Sequence, residues 1–176
     1  REDSLLADKI SRLHIYFSLL RRGLTEDEKS RLDVELMRLY ERFGITRDND
    51  SLYDEYGSLK PQPTPADFYE LLNEREDTKS LAGILSRFVN GSAANLGGET
   101  NVDMSNKYIV LDISEIGKEL LPFGTLLAAD ICLDYCRMSR AENKVVILDE
   151  VWSLIGAGSN AQAAEFVLEL FKTVRG

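Results

Sequence analysis

A chain of 176 residues that is 44% hydrophobic and 29% charged holds enough apolar material for a folded core and is too apolar for a disordered segment. Its 30 acidic residues outnumber 21 basic ones, leaving a net charge of −9. That balance disfavours sequence-independent nucleic-acid binding, which needs Lys and Arg on phosphates. No apolar run approaches the ~18 residues that span a bilayer, and the charged, amphipathic start "REDSLLADKI" is no secretory signal.

The first hundred residues read as helices. Leu6, Ile10, Leu13, Phe17 and Leu20 recur at steps of three and four, so they share one helix face, which Arg22-Gly23 should end. Thr25 with Glu28 makes a capping box for a second helix. Its stripe is Leu32, Leu36, Leu39 and Phe43, stopped by Gly44, and the two helices should form an antiparallel hairpin. "GITRDNDSLYDEYGSLKPQPTP" is a break of turns and extended chain. Thr64-Pro65 starts a third helix, and Asp77 or Thr78 a fourth that Asn90-Gly91 closes.

From residue 107 the pattern changes. "KYIVLDIS" is a short apolar run rich in β-branched and aromatic residues, which predicts a buried strand. A long apolar helix follows from about Leu120 to Ser139, then a second strand, "KVVILDE", then an amphipathic helix over "NAQAAEFVLELFKTVRG". Strand, helix, strand, helix implies a βαβ unit with parallel strands and a right-handed crossover, hence an α/β fold class for this part. "GSAANLGGETNVD" is Gly-rich but follows a helix, whereas a phosphate cradle needs strand, Gly-rich loop and helix with a Lys. Gly91, Gly97 and Gly98 are therefore read as linker residues. Cys132 and Cys136 read as reduced core thiols, since a structural zinc site needs about four ligands. His14, inside "RLHIYFSLL", reads as a partly buried, hydrogen-bonded side chain.

"KVVILDEVWSLIG" asks why an apolar run should end in adjacent carboxylates, Asp149 and Glu150. An acidic turn reaching solvent is one answer. The other is a metal and water site, because ligands of parallel α/β sheets sit beyond the carboxyl ends of the strands. An Asp there can hold Mg²⁺, directly or through water, and a neighbouring Glu can orient and deprotonate an attacking water. The first strand also ends in an acid, Asp112. Lys172 and Arg175 close the last helix; they can answer its dipole or supply an arginine finger.

The stretches "LADKISRLHIYFSLL", "NDSLYDEYG", "TNVDMSNKYIVLDIS", "VVILDEVWSLIG" and "AAEFVLELFKTVRG" together resemble the ATPases of conjugative type IV secretion systems, the TraC/TrsE-type assembly ATPases of the VirB group. The resemblance covers nearly the whole chain. It implies a RecA-like phosphate-loop NTPase core interrupted by an all-α helical insertion, with residues 1–100 as the insertion and 101–176 as part of the core, including its Walker B strand. It implies ATP and Mg²⁺ as cofactors, with Asp149 as the metal-coordinating Asp, Glu150 as the catalytic Glu and Arg175 as an inter-subunit finger. It further implies self-association, often as hexamers, other secretion subunits as partners, and a cytoplasmic place against the inner face of a bacterial membrane. The family's phosphate-binding loop is not in this sequence and is expected before residue 1, with a further strand after Gly176. The chain by itself is accordingly expected to be inactive. Two other readings stand beside this one: a non-enzymatic helical interaction module, and a DNA-pumping ATPase of the same superfamily, for which the acidic balance offers no basic pore loop.

Overall fold

The computed structural model describes residues 4–98, 103, 105–138 and 144–149. The chain divides into two units, one of Arg1–Phe17 and Arg21–Asn101, the other of Ser18–Leu20 and Val102–Gly176.

The first unit is helical. α1 (Leu5–Leu20) begins at Ser4, whose hydroxyl accepts from the Ala7 N–H, and α2 (Glu26–Arg42) begins at the expected capping box. There the Glu28 N–H donates to Thr25 Oγ1 at 3.2 Å and the Thr25 N–H donates to Glu28 Oε2 at 2.9 Å. These bonds satisfy donors that the first helical turn leaves open. Two nested contacts join the two helices as an antiparallel hairpin: an ion pair of Arg21 and Glu28 at 2.9 Å near the turn, and a hydrogen bond of His14 Nε2 with Asp33 Oδ1 at 3.2 Å one step further in. His14 is thus the partly buried, partnered side chain its apolar context predicts. α2 ends in a Schellman arrangement: the Gly44 N–H donates to the Glu41 carbonyl at 2.9 Å and the Ile45 N–H to the Tyr40 carbonyl at 3.0 Å. That geometry needs a left-handed residue after the cap, which Gly44 supplies at φ +69°. Ile45 then turns into the core, where it is fully buried.

α3 (Pro65–Asn73) and α4 (Lys79–Val89) follow. Thr64 and Asp67 form a second capping box, with the Thr64 N–H on Asp67 Oδ2 at 2.7 Å, and Pro65 takes the first helical position. Thr78 precedes α4 but does not cap it with its side chain. The core joins all four helices through Leu6, Ile10, Leu32, Leu36, Leu71 and Leu81, with Phe17 meeting Phe68 edge to face at 5.8 Å. The reading of Gly91 and Gly97 as linker residues is corrected by their surroundings. A Cβ on Gly97 would lie 2.0 Å from the Phe88 carbonyl oxygen, and one on Gly91 would lie 2.8 Å from the Arg87 Cα. Both glycines let the chain fold back against the end of α4. Gly98 has open space around it, as a linker residue should.

In the second unit, α5 (Leu121–Met138) matches the expected apolar helix and buries Leu126, Ala129 and Leu133. Cys132 and Cys136 are free thiols on it, half-buried rather than in the core. The two buried strands are not borne out. Residues 107–114 and 144–148 have no regular structure, and no strand occurs among the described residues. The expectation rested on composition, whereas a strand needs a neighbour to take its backbone hydrogen bonds. Alternation survives without a ladder. Ile109, Leu111 and Ile113 are half-buried between exposed Tyr108, Val110 and Asp112; Val146 and Leu148 are half-buried between exposed Val145, Ile147 and Asp149. Each segment therefore covers one side and leaves the other to solvent. The last helix, expected over 160–176, lies outside the described residues.

Candidate functional site

Asp149 ends the segment 144–149 at an exposed bend. The start of that segment is fixed by Lys144. Its Nζ donates to the Tyr135 carbonyl at 3.1 Å and the Cys136 carbonyl at 3.4 Å, and it stands 4.9 Å from the Tyr135 ring centroid. Those carbonyls belong to the last turn of α5, which carries the negative end of the helix dipole and has no further N–H to take. A single ammonium thus answers the helix end and ties the approach to Asp149 onto it. Glu150 and Arg175 lie outside the described residues.

Asp112, the acid of the first apolar segment, has a local role. Its Oδ1 accepts from the Ser114 N–H at 2.9 Å, and this bond holds its carboxyl below the usual range. That is a turn closed on itself, as Asp often makes. Among the described residues no three His, Cys, Asp or Glu side chains cluster as metal ligands would. What the structure supplies at the acidic motif is one exposed hard oxygen donor, Asp149, on a tethered segment.

Two features of the helical unit escaped the sequence reading. The first is a chain of alternating charges. Asp27 pairs with Arg31, Arg31 with Asp77, Asp77 with Arg75, Arg75 with buried Glu35, Glu35 with Arg38, Arg38 with Glu74 and Glu74 with Arg42. Arg42 grips Glu74 with two bonds of 2.6 and 2.7 Å, and this holds the Glu74 carboxyl below its ordinary range. Each Arg of the chain already has a carboxylate, so the cluster fastens α2 to the α3–α4 turn and is no anion site. Asp27/Arg31 and Glu35/Arg38 sit at helical spacing and were visible in sequence, and Arg75 and Asp77 are two residues apart; the remaining pairs are non-local.

The second feature is a small hairpin inside the "break". Tyr53 and Leu59 form an antiparallel bridge, closed by a turn with Gly57 at φ +76°. Asp54 Oδ1 accepts from the Tyr56 and Ser58 N–H groups at 2.9 and 2.8 Å. Its signal in sequence was the Asp with a Gly three residues on, a turn pairing read there as turns and extended chain but not as a hairpin.

Along 98% of its length the chain is similar to VirB4 of Thermoanaerobacter pseudethanolicus, with a TM-score of 0.84 and 28% sequence identity. The chain spans about half of that protein, 48% of its length. No protein-family model matches, and no curated protein does. The likeness upholds the resemblance to the VirB-group secretion ATPases that the motifs carry. No helix among the described residues is long and apolar enough to cross a membrane.

Proposed function

We propose that this chain, alike in fold and sequence to a VirB4, forms part of an ATP-hydrolysing motor of a type IV secretion system. The observation that carries the reading is the match over 98% of the chain, with the "ILDEVW" motif inside the matched length. In this reading residues 101–176 contribute to a RecA-like α/β core and residues 1–100 are its helical insertion. The alternation of exposure along 107–114 and 144–149 supports it, since that is the pattern of strands awaiting neighbours.

Asp149 suits Mg²⁺ by donor type, for this ion prefers a carboxylate oxygen or two and keeps several waters. When MgATP is bound, the ion neutralises charge on the phosphates. Glu150 is the general base in this proposal: it orients a water and takes its proton as the oxygen attacks the terminal phosphorus and the bond to the bridging oxygen breaks, releasing ADP and phosphate. Arg175 reaches the nucleotide of a neighbouring subunit and stabilises charge as it develops. Assembly as a hexamer at the inner face of a bacterial membrane belongs to the same proposal.

Hydrolysis and nucleotide binding by the complete protein, with and without Glu150→Gln, test it. Binding should persist while turnover falls on the order of 10²- to 10⁴-fold. Unchanged turnover would remove Glu150 from the mechanism, and absence of hydrolysis by the complete protein would favour a helical interaction module.

A further inference from the structure

We propose that the hairpin Tyr53–Leu59 is a docking knob for a protein segment that carries Lys or Arg beside aliphatic or aromatic side chains. The proposal is independent of ATP hydrolysis. It starts from exposure: Tyr53 is 49% exposed, Tyr56 84% and Leu59 61%. Single exposed apolar residues are ordinary. Three within seven residues on one small ribbon are not, and Tyr is among the side chains enriched at the energetic centres of protein interfaces. Tyr53 and Leu59 are bridge partners, so their side chains leave the ribbon on the same face. The Asp54 N–H bond to the Ser58 carbonyl at 2.8 Å and the Lys60 N–H bond to the Leu52 carbonyl at 2.9 Å flank them. That pattern makes theirs a non-hydrogen-bonded pair, the kind whose side chains stand closest.

The exposure is held in place. Ile45 and Leu52 sit on the core on the way into the hairpin. The Leu5 N–H donates to Asn49 Oδ1 at 2.9 Å, tying the loop to the start of α1. Lys60 Nζ donates to the Gly44 carbonyl at 2.8 Å and pins the way out. Inside the turn the Gly57 N–H donates to the Asp54 carbonyl at 3.0 Å, beside the two bonds the Asp54 carboxylate accepts. A loop so restrained loses little further freedom on binding, which is how preorganisation raises affinity.

Charge names the partner. Asp48, Asp50, Asp54 and Glu55 are all exposed in the loop that carries the tyrosines. Against them stand Arg47, exposed, and Lys60, half-buried and turned onto Gly44. Two exposed tyrosines in so acidic a loop complement a cationic side chain, which can stack on a ring and meet a carboxylate. A polyphosphate or nucleic-acid backbone would be repelled by the same loop.

A photo-reactive benzoylphenylalanine placed at position 56 of the complete protein, in the cells that produce it, tests the proposal. The control carries the probe at exposed Glu41 on α2. The cross-linked segment, sequenced by mass spectrometry, should be a basic and apolar stretch of another protein, captured several-fold more from position 56 than from 41. Glu55→Lys and Leu59→Ala should each lower that yield several-fold with the thermal midpoint unchanged. If Leu59→Ala disturbs the hairpin, Glu55→Lys alone must still lower it. Equal capture from both positions, or capture of an acidic segment, a lipid, a nucleic acid or a second copy of this chain, would overturn the proposal.

Discussion

The Thr78 hydroxyl donates to the Leu72 carbonyl at 2.6 Å, inside the helical unit, and so binds the end of α3 to the start of α4. It also lies 3.1 Å from the Arg75 carbonyl. The side chain is 2% exposed, so water cannot replace it. Thr78→Val keeps the shape and removes the donor, leaving the buried Leu72 carbonyl short of a partner. The expected cost is about 1–3 kcal/mol, the usual penalty for an orphaned buried polar group. Urea unfolding should show a lower midpoint with an unchanged slope. Wild-type stability in this variant would mean that the bond contributes nothing net.

Gly97 and Gly98 make an internal control for close packing at the end of α4. Gly97→Ala has to move the Phe88 carbonyl or its own loop, because the new Cβ would stand 2.0 Å from that oxygen. Gly98→Ala meets nothing within 4 Å. Overpacking of this kind costs about 1–3 kcal/mol. The Gly97 variant should therefore melt at a lower temperature while the Gly98 variant melts with the wild type. Equal melting of the two would show that the chain at 97 shifts without cost.

Stability on the alkaline side should depend on Tyr40. Burial pushes its phenol up to about 12 from an ordinary value of 10.0, with Arg12 working weakly the other way. The folded chain keeps this proton where the unfolded chain gives it up. The contribution is therefore complete below pH ~10 and is lost as pH rises through about 12. Tyr40→Phe removes the group and should flatten the fall of stability between those two values, compared at matched pH with wild type. An identical alkaline profile in the variant would place the loss elsewhere.

The helical unit was legible because its signals are local. Thr25 with Glu28 and Thr64 with Pro65 announce helix starts through bonds made within one turn, and Gly44 announces an end through its own φ. The hairpin at Tyr53 was not legible, since Asp54 and Gly57 mark a turn without saying that it would be pinned by Asn49 and Lys60. Nor was the chain of charges from Asp27 to Arg42, whose links at Asp77, Arg75 and Glu74 join residues far apart in sequence. At the acidic motif the apolar run from Val145 to Leu148 was readable and its alternating exposure was not, because burial, like the formation of a strand, is decided by neighbours that no local pattern supplies.

The 176-residue chain by itself should neither hydrolyse ATP nor hold it tightly. Most nucleotide affinity in phosphate-loop proteins comes from backbone N–H groups and a Lys around the phosphates. No Gly-x-x-x-x-Gly-Lys-Ser/Thr run occurs in this sequence. Asp149 and Glu150 would repel a polyphosphate unless Mg²⁺ bridged them, and so few carboxylates hold Mg²⁺ weakly when the phosphates are not already anchored. The same chain exposes Tyr108, Val110, Val145 and Ile147 on segments whose backbone has no ladder. Unpaired extended segments with apolar faces invite pairing with another chain. Calorimetric titration with MgATP should therefore give no saturating heat in the micromolar range, and light scattering should show a mass that rises with concentration. Micromolar binding would mean that residues of this chain cradle the phosphates after all, and a constant monomer mass would show that the apolar faces are covered from within.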